Sequence, residues 1–191
     1  MIDYTIKLIL RQEAEDIIKI WHYSHSLNGV MSTYCFGLFD EDVLIGVMVL
    51  GNTAMHNQWK KYTDKKENLI ELRRLAIIDN TPKNTESYFI GYVLRWLKKN
   101  TNIKMVLSYA DSNYNHVGTI YKASNFKYLG LTSLGKVIMW QGKKYHDKAI
   151  RTKYNGKLKP YAQRLKTALD IGEATIVKQQ PKYIFIYYLK R

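Results

Sequence analysis

The chain of 191 residues is 46% hydrophobic and carries 30 Lys plus Arg against 16 Asp plus Glu, a net charge of +14. This excludes a disordered chain, and the length suffices for one domain with a real core, or for one domain with an appendage. No apolar run approaches a membrane span, Met1-Ile-Asp-Tyr-Thr-Ile-Lys7 has no leader pattern, and Cys35 is the single cysteine, so a cytoplasmic protein with no membrane association and no intrachain disulfide is expected.

Tyr4 to Leu10 alternates and predicts a strand. Arg11 to Trp21 places Ala14, Ile17, Ile18 and Trp21 at helical spacing. The polar, ring-rich stretch Trp21-His-Tyr-Ser-His-Ser-Leu-Asn-Gly29 ends in a turn signal. Thr33 to Phe39 and Val43 to Gly51 predict two strands joined by a hairpin at Asp40-Glu-Asp42, with Cys35 as a buried structural thiol. Asn52 to Asn68 is polar and basic, includes Trp59 and Tyr62, and predicts an excursion from the core.

The run from Leu69 to Gly130 is the most structured in its signals. A strand over Leu69 to Ile78 leads through the polar loop Asp79 to Ser87 into a helix over Ser87 to Lys99. A second strand, Met105 to Asp111, leads through a polar turn into a short helix within Gly118 to Phe126, and Lys127 to Gly130 opens another strand. Lys136 to Trp140 predicts a strand, Pro160 to Ile171 a helix and Lys182 to Leu189 a last strand. The order predicts an α/β protein with one mixed sheet and helices on both faces. The best boundary falls near Lys143, separating residues 1–142 from a basic extension, 143–191.

That extension holds 13 of the basic and 3 of the acidic residues. Tyrosines interleave with the charges, as in Lys144-Tyr145, Lys153-Tyr154 and Lys182-Tyr183. Cations hold phosphates and phenol rings stack on bases, so the extension reads as a nucleic-acid-binding element packed on the core. In Lys182 to Leu189 either face of the strand could be the inner one.

The loop Pro82-Lys-Asn-Thr-Glu-Ser87 offers amides at a helix start, a lysine and hydroxyls. Asn84 or Thr85 can cap the helix, and a phosphate-bearing donor could rest against Lys83, Asn84, Thr85 and Ser87. Arg73 and Arg74, adjacent in a strand, should point to opposite faces, with Glu71 or a phosphate as a partner. Asp111 ends its strand, where open α/β sheets place ligands, and Tyr121 follows ten residues on; a carboxylate and a phenol converging on one pocket suit a proton relay. His22 and His25 are three apart and His116 precedes the short helix, but no metal-ligand spacing appears, so no metal is expected and His25 and His146 read as structural.

The ordered set Glu71-Leu-Arg-Arg-Leu75, Asp79, Pro82-Lys-Asn-Thr-Glu-Ser87, Ser108-Tyr-Ala-Asp111, His116-Val-Gly-Thr-Ile-Tyr-Lys-Ala-Ser-Asn-Phe126 and Tyr128-Leu-Gly130 resembles the bacteriophage Mom family. Trp21-His-Tyr-Ser24 resembles that family's early histidine–tyrosine motif. The resemblance covers roughly residues 20 to 140, and the tail matches in character more than in letters. It implies a GNAT acyltransferase fold, with a central twisted, mostly antiparallel sheet flanked by helices. It also implies transfer of a carbamoylmethyl (acetamido-type) group to adenine N6 in double-stranded DNA, which shields phage DNA from host restriction. By motif it implies roles for His22, Tyr23, Asp111 and Tyr121 in catalysis, and for Arg74 and Ser87 near the donor, with Arg73 a neighbour. Ordinary GNAT enzymes hold the acyl-CoA pyrophosphate on a Gln/Arg-x-x-Gly-x-Gly/Ala loop, and Thr81 to Ser87 lacks those glycines. The donor is therefore acetyl-CoA or another small-acyl or aminoacyl donor. The extruded base could be held by Trp21, Tyr23 or Trp59. Two other readings stay open: a GNAT-type N-acetyltransferase for tRNA, protein or a small amine, and a non-catalytic DNA-binding protein on a degenerate GNAT fold.

Overall fold

The computed structural model describes residues 4–189. Residues 1–3, part of the leader reading, and 190–191, the last two charges of the basic tail, lie outside the described residues. In chain order the elements are β1 (Tyr4–Leu8), α1 (Arg11–Trp21), β2 (Tyr34–Asp40), β3 (Val43–Gly51), β4 (Leu69–Ile77), α2 (Thr85–Asn100), β5 (Met105–Ala110), α3 (Thr119–Ala123), β6 (Lys127–Leu131), β7 (Gly135–Trp140), β8 (Lys143–His146), β9 (Lys153–Tyr154), β10 (Lys157–Leu158), α4 (Pro160–Asp170), β11 (Thr175–Gln179) and β12 (Tyr183–Tyr188). They divide into two compact units. The first holds residues up to Ala110, His116–Gly130 and the chain from Tyr183; the second holds Asp111–Asn115 and Leu131–Lys182.

The first unit is built on a seven-stranded sheet in the order β1-β2-β3-β4-β5-β12-β6, and β4 and β5 form its parallel pair. Alternation along β2 and β3 assigns the faces. Cys35, Val47 and Val49 pack with Ala14 and Ile18 of α1. Their sequence neighbours Phe36, Met48 and Leu50 pack with Phe89, Ile90, Val93 and Leu97 of α2. The two helices therefore cover opposite faces. In β12, Phe185 joins the α2 side, with Tyr183 and Tyr187 packed against it, while Ile186 and Ile184 go to the other face. On that other face Trp59 and Tyr62 pack against Leu69, Met105, Leu107 and Ile186. Asn52 to Asn68 is thus no free excursion. It is pinned by two rings, and Trp59 is spent on packing.

The second unit adds two sheets to the single one expected. A three-stranded sheet runs β11-β7-β8, and β9 pairs with β10. Ile138 of β7 packs with Leu165 and Ala168 of α4 and with Ala174. Both short hairpins turn on two residues at positive φ, Gln141-Gly142 (48° and 70°) and Asn155-Gly156 (49° and 77°), the geometry whose twist matches that of paired strands. The units also divide the chain elsewhere than at residue 143. The last strand returns to the main sheet between β5 and β6, and the second unit begins its longer stretch at Leu131.

Gly118 precedes α3 at φ +78°, and a Cβ there would lie 2.2 Å from the Phe185 ring. Gly118→Ala combines a left-handed backbone with a clash against a fully buried ring, and is expected to cost at least about 2 kcal/mol in urea unfolding. Gly130→Ala, at φ +106° with nothing within 4 Å of its Cβ, bears the backbone strain alone and should cost about half as much. Equal losses would contradict the packing of α3 on β12.

Candidate active site

At the centre of the first unit's sheet two neighbouring strands share only part of their length, which opens the hydrogen-bonded ladder there. β4 and β5 share three parallel rungs, Leu69 with Met105, Ile70 with Val106 and Glu71 with Leu107. Beyond them β4 continues along β3 as far as Ile77, and β5 along β12 as far as Ala110. The strands part at a β-bulge: Leu72 faces Leu50 and Arg74 faces Val49, leaving Arg73 as the extra residue. A bulge bends its strand and raises its twist. It also breaks the alternation that would send Arg73 and Arg74 to opposite faces, and both guanidinium groups come within electrostatic reach of Glu71.

Glu71 sits on the last shared rung and is buried. Its carboxylate pairs with Arg73 Nη1 at 3.2 Å and accepts the Ala54 N–H at 3.0 Å. Burial pushes its pKa up, and the pull of Arg73 and the Ala54 amide does not cancel that shift. Tyr121 of α3 packs in the core on the α2 side, its ring 5.5 Å from Phe126 and 5.3 Å from Phe185, and is within electrostatic reach of Glu71. Burial raises the phenol's pKa, so it keeps its proton. Ser108 of β5 is fully buried, and its hydroxyl lies near enough to the phenol to oppose that rise without completing a hydrogen bond. Among the described residues Arg73 Nε and Arg74 Nε also find no partner where they are buried. Unpaired buried polar atoms are costly, and three of them lie on the two strands that part.

A second cluster joins distant segments of this unit. The His22 and Tyr23 rings lie 4.2 Å apart, and Tyr23 lies 5.4 Å from His116. Arg74 is within electrostatic reach of both His22 and Tyr23. It therefore groups with the catalytic candidates and not with the loop before α2. His22 Nδ1 accepts the Ser24 backbone N–H at 3.0 Å and lies 2.8 Å from Ser24 Oγ. A backbone N–H only donates, so the neutral imidazole carries its proton on Nε2. Burial first, then Arg74, His116 and His25, push the His22 pKa down to about 4. His22 is thus a neutral hydrogen-bond donor, and a weak base. His25 Nδ1 donates to Lys19 O at 2.8 Å, a structural role.

At the helix mouth the two hydroxyls expected near the donor face backbone carbonyls of their own turn. Asn84 is the N-cap of α2 in left-handed geometry, without a side-chain cap bond. Thr85 is buried and its hydroxyl donates to Pro82 O at 2.6 Å; the Ser87 hydroxyl donates to Asn84 O at 3.0 Å. Phosphate oxygens only accept, and both hydroxyl protons are committed to the turn itself. Glu86 adds a carboxylate to the first turn, leaving Lys83 as its nearby cation. The donor contact expected of Thr85 and Ser87 finds no support in these bonds.

Asp111 belongs to the second unit, and Tyr121 to the first. The Asp111 carboxylate pairs with Lys182 Nζ at 2.6 Å and accepts Asn113 Nδ2 at 2.8 Å and the Asn113 N–H at 3.1 Å. Burial pushes its pKa up, but Lys182 and Asn113 outweigh it and hold the group below the usual carboxylate range. The expected proton relay from Asp111 to Tyr121 has no support in these partners. Asp111 instead lines a cavity of about 520 Å³ within the second unit, with Asn113, Lys144 and Lys182. The carboxylate that sequence reasoning passed over is Glu71. Its signal was a lone acid in an apolar strand, read there only as a partner for Arg73.

The buried histidine makes stability depend on pH. In the unfolded chain His22 titrates near 6.5, and in the folded chain near 4. Above about pH 6.5 the two states bind the same protons. Below it the unfolded chain takes up a proton that the folded chain refuses, so stability falls as pH drops toward 4, by on the order of 3 kcal/mol in full. His22→Asn should flatten that part of the unfolding curve. An unchanged slope would contradict the burial of a neutral ring.

The family model that matches this chain is the Mom protein family, over residues 3–191. Among relatives, the methylcarbamoylase Mom of Escherichia phage Mu is 31% identical over 121 residues, covering 61% of this chain and 49% of that protein. The chain thus spans about half the length of the curated relative it matches. Solved structures share the fold. An acetyltransferase from Bacillus subtilis in complex with CoA has a TM-score of 0.56 at 13% identity, covering 98% of this chain and 100% of that one. A probable acetyltransferase from Staphylococcus epidermidis has a TM-score of 0.54 at 14% identity, covering 98% and 100%. The mixed sheet with one parted parallel pair is the GNAT-like fold of such enzymes, and with a family match over nearly its whole length, the chain belongs to the Mom protein family.

Proposed function

We propose that this chain is a transferase that places a carbamoylmethyl group on N6 of adenine in double-stranded DNA, and so protects that DNA from restriction. One observation carries the reading: in a Mom-family chain, β4 and β5 part beside Glu71, Ser108 and Tyr121, and buried polar atoms there lack partners. A small carboxamide supplies both the acceptor and the donor that Arg73, Arg74 and Ser108 leave unpaired. Transfer of a carbamoylmethyl group forms the N6–CH2 bond as the methylene's bond to its leaving group breaks, so the donor is a compound that carries this head group through such a carbon; an acyl donor that gives up its carbonyl carbon would leave an amide on N6 instead.

The chemistry at the opening is a division of protons. Glu71, its pKa raised by burial, takes the proton released as the adenine amine attacks. Tyr121, holding its proton, donates to the departing group. His22 offers Nε2–H as a neutral donor, and Arg74 supplies fixed positive charge beside Tyr23. Asp111, ion-paired with Lys182, orders the turn after β5 and moves no proton. The target base must leave the stack to react, at a cost of a few kcal/mol. The second unit offsets this with phosphate contacts: of its 57 residues, 12 are Lys or Arg and 4 are Asp or Glu.

The test is expression in a bacterium, then digestion of its DNA and mass analysis of the nucleosides. The wild-type chain should yield an N6-carbamoylmethyl-2′-deoxyadenosine adduct. Tyr121→Phe keeps the ring packing and loses the proton, so product should fall about 100-fold or more. Ser87→Ala, whose hydroxyl faces its own turn, should leave product within about twofold of wild type. No adduct from the wild-type chain, or full adduct from Tyr121→Phe, would overturn the reading.

A further inference from the structure

A cavity of about 380 Å³ in the second unit has a lining unlike any packing defect. Three tyrosines, Tyr145, Tyr154 and Tyr161, and three lysines, Lys144, Lys148 and Lys159, line it, and among the described residues no carboxylate is in its walls. Its volume falls within the range of small-ligand sites. Tyr145 is anchored from behind, packed on the core formed by Ile138 and Leu165. Tyr154 and Tyr161 remain 58% and 43% exposed. Tyr154 is nonetheless fixed in place, because it pairs with Lys157 across the tight Asn155-Gly156 hairpin. The Lys159 ammonium lies 4.3 Å from the centre of the Tyr154 ring. The nearest acid in sequence, Asp147, is taken by Arg151. The cavity thus offers exposed ring faces held by a hairpin and a helix start, and three lysines that, among the described residues, form no ion pair.

We propose that this cavity is a nucleotide site, which takes one base and its flanking phosphates from an unpaired stretch of the DNA strand. An aromatic face accepts any base by stacking, and lysines at its rim take the phosphates on either side. The chemistry selects a planar ring bearing phosphate, and excludes acyl chains, neutral sugars and cationic peptides. The site makes the second unit a holder of unstacked strand rather than a sheet of uniform charge. The inference rests on the DNA-modifying reading for its partner, but its test does not pass through the reaction.

The test is fluorescence anisotropy with the whole chain and a labelled single-stranded oligonucleotide, titrated across a range of salt. Tyr154→Ala/Tyr161→Ala should weaken binding at least about tenfold with the salt slope unchanged, because stacking is removed while the lysines still hold the phosphates. Tyr154→Phe/Tyr161→Phe should bind like wild type. Lys144→Gln/Lys159→Gln should make the slope of log affinity against log salt shallower by about 0.7 for each phosphate no longer neutralised. Both tyrosines are exposed, so unchanged thermal unfolding serves as the control for folding. Adenosine 3′,5′-bisphosphate is the competing arm: tight binding of it that the tyrosine variants abolish, beside unaltered oligonucleotide binding, would move the site from strand to free nucleotide and overturn the proposal. Oligonucleotide binding unaffected by the alanine pair would overturn it as well. If DNA carries no adduct while stacking-dependent binding persists, the reaction assigned above fails and this site stands.

Discussion

The bulge at Arg73 decides how far β4 and β5 travel together, and the opening at the centre of the first unit follows from it. Parallel strands keep slanted, evenly spaced bonds only while their directions match. One extra residue turns β4 toward β3, and β5 stays with β12. The two strands separate within a single rung of Glu71. The bulge also sets the charge pattern. Two arginines that alternation would divide between faces both act on one buried carboxylate, and the Nε atoms of both are left without partners. Such strain is retained where a ligand relieves it.

Protonation states follow from the same packing. Tyr121 is surrounded by Phe126 and Phe185 and keeps its proton because no ion is tolerated there. His22 stays neutral because it is buried and Arg74 opposes a second charge, and Ser24 occupies its acceptor nitrogen. Asp111 has the reverse surroundings, an ammonium and two N–H donors, and remains charged. Three groups that look equivalent in the sequence as proton carriers are thus sorted by burial and partners. A fourth group, Glu71, is an acid whose pKa burial raises.

Much of the first unit was legible because its signals are local. The spacing of Ala14, Ile18 and Trp21 predicts α1 with the bounds observed, and the apolar run after Val43 does the same for β3. The family resemblance, carried by motifs between Trp21 and Gly130, was also readable and agrees with the family match. What escaped was non-local, or lay in the short strands β8, β9, β10 and β11 of the basic stretch. The β7–β8 and β9–β10 hairpins are announced by Gln141-Gly142 and Asn155-Gly156, the latter a strong turn signal, in stretches that read only as basic. The return of β12 to the main sheet leaves no mark in its sequence. The bulge at Arg73 had a sign, paired arginines in an apolar strand, but strict alternation assigns them to opposite faces. The helix-mouth hydroxyls were counted as ligands by residue type, whereas their direction is set by the turn at Asn84. Direction, unlike type, is a property of the folded chain.

The most direct test of the central claim removes the extra residue. Deleting Arg73 lets β4 pair in regular register with β3 and draws it back along β5. Nucleoside mass analysis of DNA from cells making the deletion variant, with its thermal unfolding measured alongside, reads the consequence. The account predicts a folded protein that leaves adenine unmodified where the wild-type chain modifies it. A folded variant that modifies adenine as fully as wild type would show that the parting of β4 and β5 is not what the chemistry depends on.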